Sequence, residues 1–298
     1  MVDSPVLNAG FMADEKSYQQ WRRFRLRSRP SSAEEITVEV DGLPGLTQSQ
    51  VNSVRKTIKA CNMAIYRCRD RYADRSAVKV FAARFGLSNL DHHLCTHEDG
   101  VSELSVAREG RKSIYVPYSN RSLSWHTDGY YNDRSRQVNA VVLHCVQAAE
   151  AGGENALLNP EIAYIMLRDA DPRYIRALEH PHCLTIPANN PAEGEIRSSV
   201  SGPVFSYDGD GRIHMRYSAR KKNIKWREDT LTREALDLLS QILNDPQGPA
   251  IRYCLKAGEG LISNNVLHNR SSFTDGSSGK RLLYRARFFD GIHYDAVH

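Results

Sequence analysis

The sequence predicts a single α+β domain in which helices pack outside a strand-rich body. Helix-start signals come first along the chain, and runs of apolar and β-branched residues that suit strands follow. At 298 residues, with 41% hydrophobic and 25% charged residues, the chain can bury a large core. Because β-rich domains of this size need not be divided, residues 1–298 are predicted to form one domain, with 1–70 as a helical, basic segment packed on the core.

Five helices are predicted from capping signals and apolar spacing. A capping box at Thr47 and Gln50 opens an apolar repeat at intervals of three to four residues, which predicts an amphipathic helix running to Cys68. A second helix is predicted from Asp74 to Phe85, with Gly86 ending it. The remaining helix starts are two N-cap and proline pairs and one hydrophobic staple, at Asn159-Pro160, Asp171-Pro172 and Thr232.

Strands are predicted from Val138 onward. The apolar run from Val138 to Val146 suits a buried strand, and His144 within it is expected to be a hydrogen-bonded core residue. Shorter strands are predicted at 252–255, 261–263 and 280–289. We expect these strands to form a sheet with the helices packed against its outside.

Two imidazoles and one carboxylate provide the main chemical signal. His126 and Asp128 form an H-x-D pair, and His268 follows 140 residues after the aspartate. At a strand end, residues i and i+2 project to the same side and can hold one ion. Two histidines and a carboxylate on one face of an octahedral Fe(II) leave positions for an oxidisable co-substrate and dioxygen. The alternative is that these are three unrelated polar residues.

Three arginines on one predicted strand strengthen this interpretation. Arg281, Arg285 and Arg287 share one face of a period-2 strand, and three cations on one face require anions. Arg281 and Arg285 would lie roughly 13 Å apart along the strand, so they are expected to bind different groups. One could hold the far carboxylate of a diacid and the other a group nearer the metal. The alternative is an exposed edge strand whose charges deter aggregation.

Taken together, these motifs and the Gly-Gly-Glu-Asn stretch at 152–155 resemble the Fe(II)/2-oxoglutarate dioxygenases of the taurine dioxygenase (TauD/TfdA) superfamily. The resemblance runs from about Phe81 to Phe289. Some motifs are similar to γ-butyrobetaine hydroxylases and others to glutarate hydroxylases, so the subfamily stays open. The resemblance implies a double-stranded β-helix (jelly-roll) core flanked by helices, as in clavaminate synthase-like proteins.

The resemblance also implies roles for residues at the cofactor site. His126, Asp128 and His268 match the iron ligands, and Arg281 matches the arginine that binds the distal carboxylate of 2-oxoglutarate. Asn155 falls where taurine dioxygenase has a threonine that assists this carboxylate, a departure that leaves its contact open. The implied cofactors are therefore Fe(II), 2-oxoglutarate and O2.

Substrate contacts are implied for a second group of residues. Arg285 matches an arginine that in relatives meets either the substrate's anionic group or the metal-proximal end of the co-substrate, and Arg287 is a further candidate for the substrate anion. His92 aligns best with a substrate-contacting histidine, with His93 as the alternative. We expect hydroxylation of a small, anionic, carboxylate-bearing metabolite with release of succinate and carbon dioxide. The rival hypotheses are a non-catalytic or regulatory relative of the fold and a basic nucleic-acid-binding protein.

Charge and composition bear on partners and location. The formal net charge of +5 and the basic, aromatic-interleaved run from Trp21 to Arg29 could suit nucleic acid, but no nucleic-acid-binding motif accompanies them. We favour a solvated helix face or a subunit contact for this run, and a homo-oligomer stays open. The six cysteines form no C-x-x-C pair. With no apolar span and no leader-like start, the expected location is the cytoplasm, away from membranes.

Overall fold

The computed structural model describes residues 14–93, 95–188, 197–208, 211–277, 279–292 and 294. Its helices of seven residues or more are α1 (Glu15–Arg27), α2 (Gln48–Cys61), α3 (Arg75–Ala83), α4 (Pro160–Ala170), α5 (Pro172–Leu178) and α6 (Thr230–Asn244). No helix in these ranges is both long enough and apolar enough to cross a membrane.

Strands of the larger sheet come from both ends of the chain. They are β1 (Thr37–Val40), β2 (Met63–Cys68), β3 (Ser102–Leu104), β5 (Ala140–Gln147), β14 (Glu259–Ser263) and β17 (Leu282–Phe288). Their order in the six-stranded sheet is β1-β2-β14-β5-β17-β3. β1 and β2 are parallel, and the other neighbouring pairs are antiparallel.

A four-stranded sheet carries the candidate metal ligands. It contains β4 (Leu123–His126), β7 (Asn155–Leu158), β13 (Ile251–Tyr253) and β15 (Leu267–Arg270) in the order β13-β7-β15-β4. The remaining short strands are β6 (Ala151–Gly152), β8 (Leu184–Ile186), β9 (Val200–Gly202), β10 (Phe205–Tyr207), β11 (Ile213–Met215), β12 (Lys225–Trp226) and β16 (Phe273–Thr274).

The two principal sheets face each other, as strand alternation shows. Ile65 and Leu261 of the larger sheet pack in one buried cluster with Leu157 of the smaller sheet. Their neighbours point outward: Ile262 packs with the cluster that includes α2 and α3, whereas Leu158 packs with α4, α5 and α6. Helices therefore cover both outer faces of a jelly-roll sandwich, which confirms the predicted fold class.

The helix predicted to run from Thr47 to Cys68 ends early, and its last six residues form a strand. The capping box at Thr47 is present, but α2 ends at Cys61, and Asn62 adopts a left-handed conformation with φ 61°. The following residues form β2, including Ile65 and Cys68. Apolar spacing of three to four residues continues by coincidence across this break. The left-handed Asn62 ends the helix because asparagine tolerates positive φ.

The other predicted helix starts agree more closely with the structure. Asp74 caps α3, and the side chains of Asn159 and Asp171 cap the two proline-started helices as predicted. α6 starts earlier than its predicted staple, because Asp229 is the N-cap and accepts a hydrogen bond from the Thr232 backbone N–H.

The basic N-terminal run is docked on the protein body. Trp21 is fully buried, and Arg25 forms a buried ion pair with Glu161 of α4. Arg22 donates two hydrogen bonds to Asp169 through its Nε and one through Nη2. The indole is unavailable to stack on bases, and part of the positive charge is already neutralised. Prediction of a solvated face was therefore wrong for the Trp21 side of α1, which is an internal contact.

Candidate functional site

Strand register brings the two predicted histidines together. His126 is the last residue of β4, and His268 of the antiparallel β15 lies directly opposite it. Their ring centroids are 4.2 Å apart. A single rung of the ladder therefore joins residues that are far apart in sequence, because directly opposite residues of antiparallel strands lie side by side.

Backbone carbonyls fix the orientation of both rings. The Nδ1 atoms of His126 and His268 each lie 2.9 Å from the carbonyl oxygen two residues earlier, of Ser124 and Val266 respectively. Nδ1–H donation to these oxygens leaves the lone pair on Nε2 in each neutral ring. Burial, with a further contribution from neighbouring His268, lowers the pKa of His126 to about 3, so its ring is neutral at physiological pH.

The side chain of Asn265 fixes the backbone of Asp128 through two hydrogen bonds. Asn265 accepts a hydrogen bond from the Asp128 N–H at 2.8 Å and donates to the Asp128 carbonyl oxygen at 2.9 Å. It also donates to the Val138 carbonyl oxygen at 2.7 Å. Gly129 follows with φ +69°, and a Cβ there would lie 2.5 Å from Val138 Cγ2. The close approach of Val138 therefore requires glycine immediately after Asp128.

The Asp128 carboxylate is ionised and has one bonded and one unbonded oxygen. Oδ1 accepts from Arg285 Nη1 at 3.0 Å and lies 3.5 Å from Arg287 Nη1. Burial alone would raise the pKa of Asp128, but the two guanidinium groups outweigh burial and hold that pKa well below its usual range. Oδ2 is buried without a hydrogen-bond partner and lies 3.9 Å from His268 Nε2.

This donor set suits a divalent transition metal. Two imidazole nitrogens and one carboxylate oxygen are borderline ligands that iron accepts, and an unbonded buried carboxylate oxygen calls for a cation. The side chains are not contracted around an ion: among the described residues, no group of three or more His, Cys, Asp or Glu side chains forms a closed metal cage.

Arg281, Arg285 and Arg287 share a face as predicted. Between them on β17, Leu283 packs into the core between the sheets, while Ala286 and Phe288 face the opposite side. β17 is paired on both sides, and all three arginines are buried, so the alternative of an exposed edge strand is wrong.

Arg281 occupies a separate part of that face. Its guanidinium lies 4.9 Å from the Phe273 ring centroid, and a Cβ on Gly153 would lie 3.4 Å from its Nε. The residue is 5% exposed, and within the described ranges no carboxylate lies within ion-pair distance of it. Burial lowers the pKa of the Arg281 guanidinium. Asn155, on β7, is also buried, with Nδ2 unbonded.

Arg287, which is predicted to bind a substrate anion, already has partners within the protein. It forms a buried ion pair with Asp91, and its Nη1 donates to the Tyr131 hydroxyl at 2.8 Å. The sequence analysis missed Asp91, which is 1% exposed and lies 196 residues before Arg287. The Asp91 carboxylate therefore offsets much of the Arg287 charge.

A pocket of about 380 Å³ opens onto His126 and Asp128. Its described lining also includes Arg285, Arg287 and His93, but not Arg281, Asn155 or His268. An adjacent pocket of about 660 Å³ shares Gly129 and is lined by none of the three candidate ligands. The smaller pocket is therefore the candidate substrate pocket, because its lining includes two of the three candidate metal ligands.

His93, rather than His92, lines this pocket. His92 is exposed and absent from the lining, whereas His93 Nε2 lies 3.1 Å from Ser102 Oγ. Burial lowers the pKa of His93 to about 2, with Arg287 and Arg285 adding to the effect. The assignment of His92 is corrected to the alternative, because the backbone turns the first histidine of the pair toward solvent.

Two further arginines line the pocket and were not identified from the sequence. Arg197 lies with its Cζ 5.8 Å from the Tyr131 ring centroid, and Arg220 with its Cζ 5.4 Å from that of Tyr130. Neither belongs to a recognisable motif. Only the tertiary fold brings them to the same pocket.

Comparison with known proteins agrees with this geometry. The family model for the taurine catabolism dioxygenase TauD, TfdA family matches residues 46–287. A uridine-5'-phosphate dioxygenase from Streptomyces sp is 32% identical over 193 residues, which cover 63% of this chain and 69% of that protein. A second enzyme with the same name, from Amycolatopsis sp, is 32% identical over 171 residues, covering 55% of this chain and 60% of the relative.

Solved structures share the fold at lower sequence identity. PvcB from Pseudomonas aeruginosa superposes with a TM-score of 0.59 at 16% identity, covering 85% of each chain. A taurine dioxygenase from Burkholderia xenovorans gives 0.57 at 20% identity, also covering 85% of each chain. The family match spans most of the chain and includes all three candidate ligands. The chain therefore belongs to the TauD/TfdA family and is an Fe(II)- and 2-oxoglutarate-dependent dioxygenase acting on a small molecule.

Proposed function

We propose that this dioxygenase hydroxylates a small anionic metabolite with release of succinate and carbon dioxide, and that residues 1–298 work as one domain. The observation that carries the proposal is the unbonded, buried Oδ2 of Asp128, which lies 3.9 Å from His268 Nε2. His268 in turn lies directly opposite His126 on the neighbouring strand. A buried ionised carboxylate oxygen without a donor is costly unless a cation binds it.

In this proposal, His126 and His268 bind Fe(II) through Nε2, and Asp128 binds it through Oδ2. The carbonyl oxygens of Ser124 and Val266 hold both rings with Nε2 available. Arg285 is a positioning residue here, because its bond to Oδ1 fixes the carboxylate with the other oxygen exposed to the metal. When bound, iron and 2-oxoglutarate supply the oxidising chemistry, in which one oxygen atom of O2 enters succinate and the other a substrate C–H bond.

Arg281 is proposed to bind the distal carboxylate of 2-oxoglutarate, with Asn155 beside it. The support is a buried guanidinium that lacks an ion pair among the described residues and lies on the same strand face as Arg285. A planar guanidinium can bind a carboxylate bidentately. Arg285 lies further along the face and lines the pocket, so it is also placed to meet the metal-proximal carboxylate or an anionic group of the substrate.

An anionic substrate is supported by the charge balance of the site. Arg285 and Arg287 form ion pairs with Asp128 and Asp91, whereas Arg281 forms no ion pair among the described residues. Bound Fe(II) would add two positive charges, and 2-oxoglutarate would remove two. One positive charge then remains before the other arginines of the pocket are counted. The relatives named as uridine-5'-phosphate dioxygenases act on an anionic small molecule, in agreement with this balance.

The test is succinate formation by the full-length chain supplied with Fe(II), ascorbate, 2-oxoglutarate and candidate substrates. The panel contains carboxylates, sulfonates, phosphomonoesters and quaternary amines. We expect anionic members to stimulate succinate release and to gain one oxygen atom by mass spectrometry. Stimulation by cationic or neutral compounds alone would overturn the anionic assignment. A complete lack of 2-oxoglutarate turnover, with every panel member, would instead favour a non-catalytic relative.

A further inference from the structure

Arg197 and Arg220 form a cationic pair in the wall of the pocket. Their nearest described hydrogen-bond acceptors are backbone carbonyl oxygens: Arg197 donates to Pro187 at 3.0 Å and Arg220 to Asn223 at 3.2 Å. Neither arginine has a carboxylate within ion-pair distance among the residues that the structure describes. The Nε of each is buried and lacks a hydrogen-bond partner. Each guanidinium thus has donor capacity left for a ligand.

The two charges are close enough to affect each other. Burial lowers the pKa of Arg197, and the guanidinium of Arg220 lowers it further. The largest favourable influences on Arg197 come from the phenol groups of Tyr130, Tyr131 and Tyr115. Two like charges in a partly buried wall repel, and tyrosine rings compensate only in part through cation–π contacts. An anion with two negative charges would offset both.

Aromatic and apolar side chains surround this pair and lead to the candidate iron ligands. The Tyr130 ring lies 5.3 Å from that of Tyr131 and 6.3 Å from that of His126, centroid to centroid. At the rim of the same pocket, Ile114 is 68% exposed and Tyr115 is 38% exposed. An apolar rim beside two arginines matches a ligand with a ring-bearing body and a strongly anionic end.

We propose that Arg197 and Arg220 bind the phosphate of a phosphomonoester substrate with a ring-bearing body, of the chemical class of a nucleoside monophosphate. This proposal rests on the proposed function, since it places the substrate body beside the Tyr130 ring and next to His126. A phosphate dianion matches two guanidinium groups in charge, whereas a single carboxylate would leave one unmatched. Arg285 and Arg287 each have a carboxylate partner, Asp128 and Asp91 respectively, whereas Arg197 and Arg220 have none among the described residues.

The test measures the affinity gained from the phosphate. Uridine 5'-phosphate, adenosine 5'-phosphate, tyrosine phosphate and their dephosphorylated forms are titrated calorimetrically into the full-length chain, with Fe(II) and saturating 2-oxoglutarate under anaerobic conditions. At least one phosphomonoester should bind more tightly than its dephosphorylated form. We expect Arg197→Gln and Arg220→Gln each to weaken its binding roughly tenfold to a hundredfold, as for loss of one charge-assisted contact. The Lys variants should recover part of this loss.

Control variants distinguish loss of the phosphate contact from loss of the fold. Arg233→Gln removes an exposed arginine on α6 that does not line the pocket, and it should leave every affinity unchanged. Unchanged 2-oxoglutarate affinity in the Arg197 and Arg220 variants shows that they are folded. The proposal is overturned if no phosphomonoester binds better than its dephosphorylated form, if both variants keep the full gain, or if only carboxylates show an arginine-dependent gain.

Failure of the proposed function would look different. Arginine-dependent phosphate binding without succinate release would keep the subsite and refute catalysis on that ligand. Succinate release with an uncharged substrate, unaffected by either substitution, would keep the dioxygenase and refute the subsite.

Discussion

Replacement of Arg281 by leucine should weaken 2-oxoglutarate binding strongly without destabilising the ligand-free protein. Arg281 is 5% exposed and, within the described ranges, has no carboxylate within ion-pair distance, so in the free protein its buried charge is only partly offset, by the more distant Asp275. Leucine removes that cost and keeps much of the packing against Phe273. Loss of a bidentate, charge-assisted contact costs about 1.5–3 kcal/mol, which raises the dissociation constant roughly tenfold to over a hundredfold.

Arg270, which contacts the same Phe273 ring, provides a matched control. Its Cζ lies 4.8 Å from the Phe273 centroid, compared with 4.9 Å for Arg281. The difference is that Nη2 of Arg270 donates to the carbonyl oxygens of Ser119 and Arg121. Arg270→Leu should therefore lower the melting temperature, because two carbonyl oxygens in partly buried hydrogen bonds lose their donor, and leave 2-oxoglutarate affinity nearly unchanged.

The assay is calorimetric titration of 2-oxoglutarate with anaerobic Fe(II), together with melting curves at several ligand concentrations. In the wild-type protein, ligand should raise the melting temperature, and Arg281→Leu should require about tenfold or more ligand for the same rise. The assignment of Arg281 is refuted if its leucine variant binds 2-oxoglutarate as the wild type does. A larger loss of affinity in the Arg270 variant would refute it as well.

Three further outcomes are expected. Asp128→Ala or His268→Ala should abolish iron-dependent succinate formation and reduce bound iron while far-ultraviolet circular dichroism stays unchanged; normal turnover in either variant would exclude that ligand. His93→Ala should raise the substrate KM and His92→Ala should not, because only His93 lines the pocket; equal effects would remove this distinction. Burial lowers the pKa of His144 to about 4 from 6.5, so the unfolded chain binds more protons between these values. The free energy of unfolding should fall by on the order of 3 kcal/mol as pH drops through that window, and less in His144→Phe, as checked by denaturant titrations; an unchanged pH slope in that variant would contradict the assignment.

The part of the fold that the sequence predicts well is the part determined by local chemistry. Asp74, Asn159 and Asp171 cap helices because their side chains accept hydrogen bonds from backbone N–H groups within three residues, and that signal is complete within a short stretch. The error after Asn62 has the same origin, since apolar spacing alone does not distinguish a helix from a helix followed by a strand. The left-handed Asn62 decides between them, and asparagine adopts that conformation only in some contexts.

The candidate site likewise contains residues that could be identified from the sequence and residues that could not. His126, Asp128 and His268 could be identified because their spacing and residue types are those of a metal site, and their ladder rung follows from strand pairing. The pairing of Arg287 with Asp91 could not be identified, because it joins segments that no motif connects. Likewise, Arg197 is an ordinary arginine in sequence, and its role depends on a pocket that several loops form together.

The strand pairing of His126 with His268 also affects how the substrate preference of this protein can change in evolution. Rigid antiparallel strands hold two of the three candidate metal ligands, His126 and His268, whereas Ile114 and Arg220 of the pocket lie outside the strands. Loops tolerate substitution and insertion far better than paired strands do. The same catalytic framework can therefore acquire a new substrate by exchanging loops. Transplanting these pocket segments between relatives should transfer substrate preference without rebuilding the iron site.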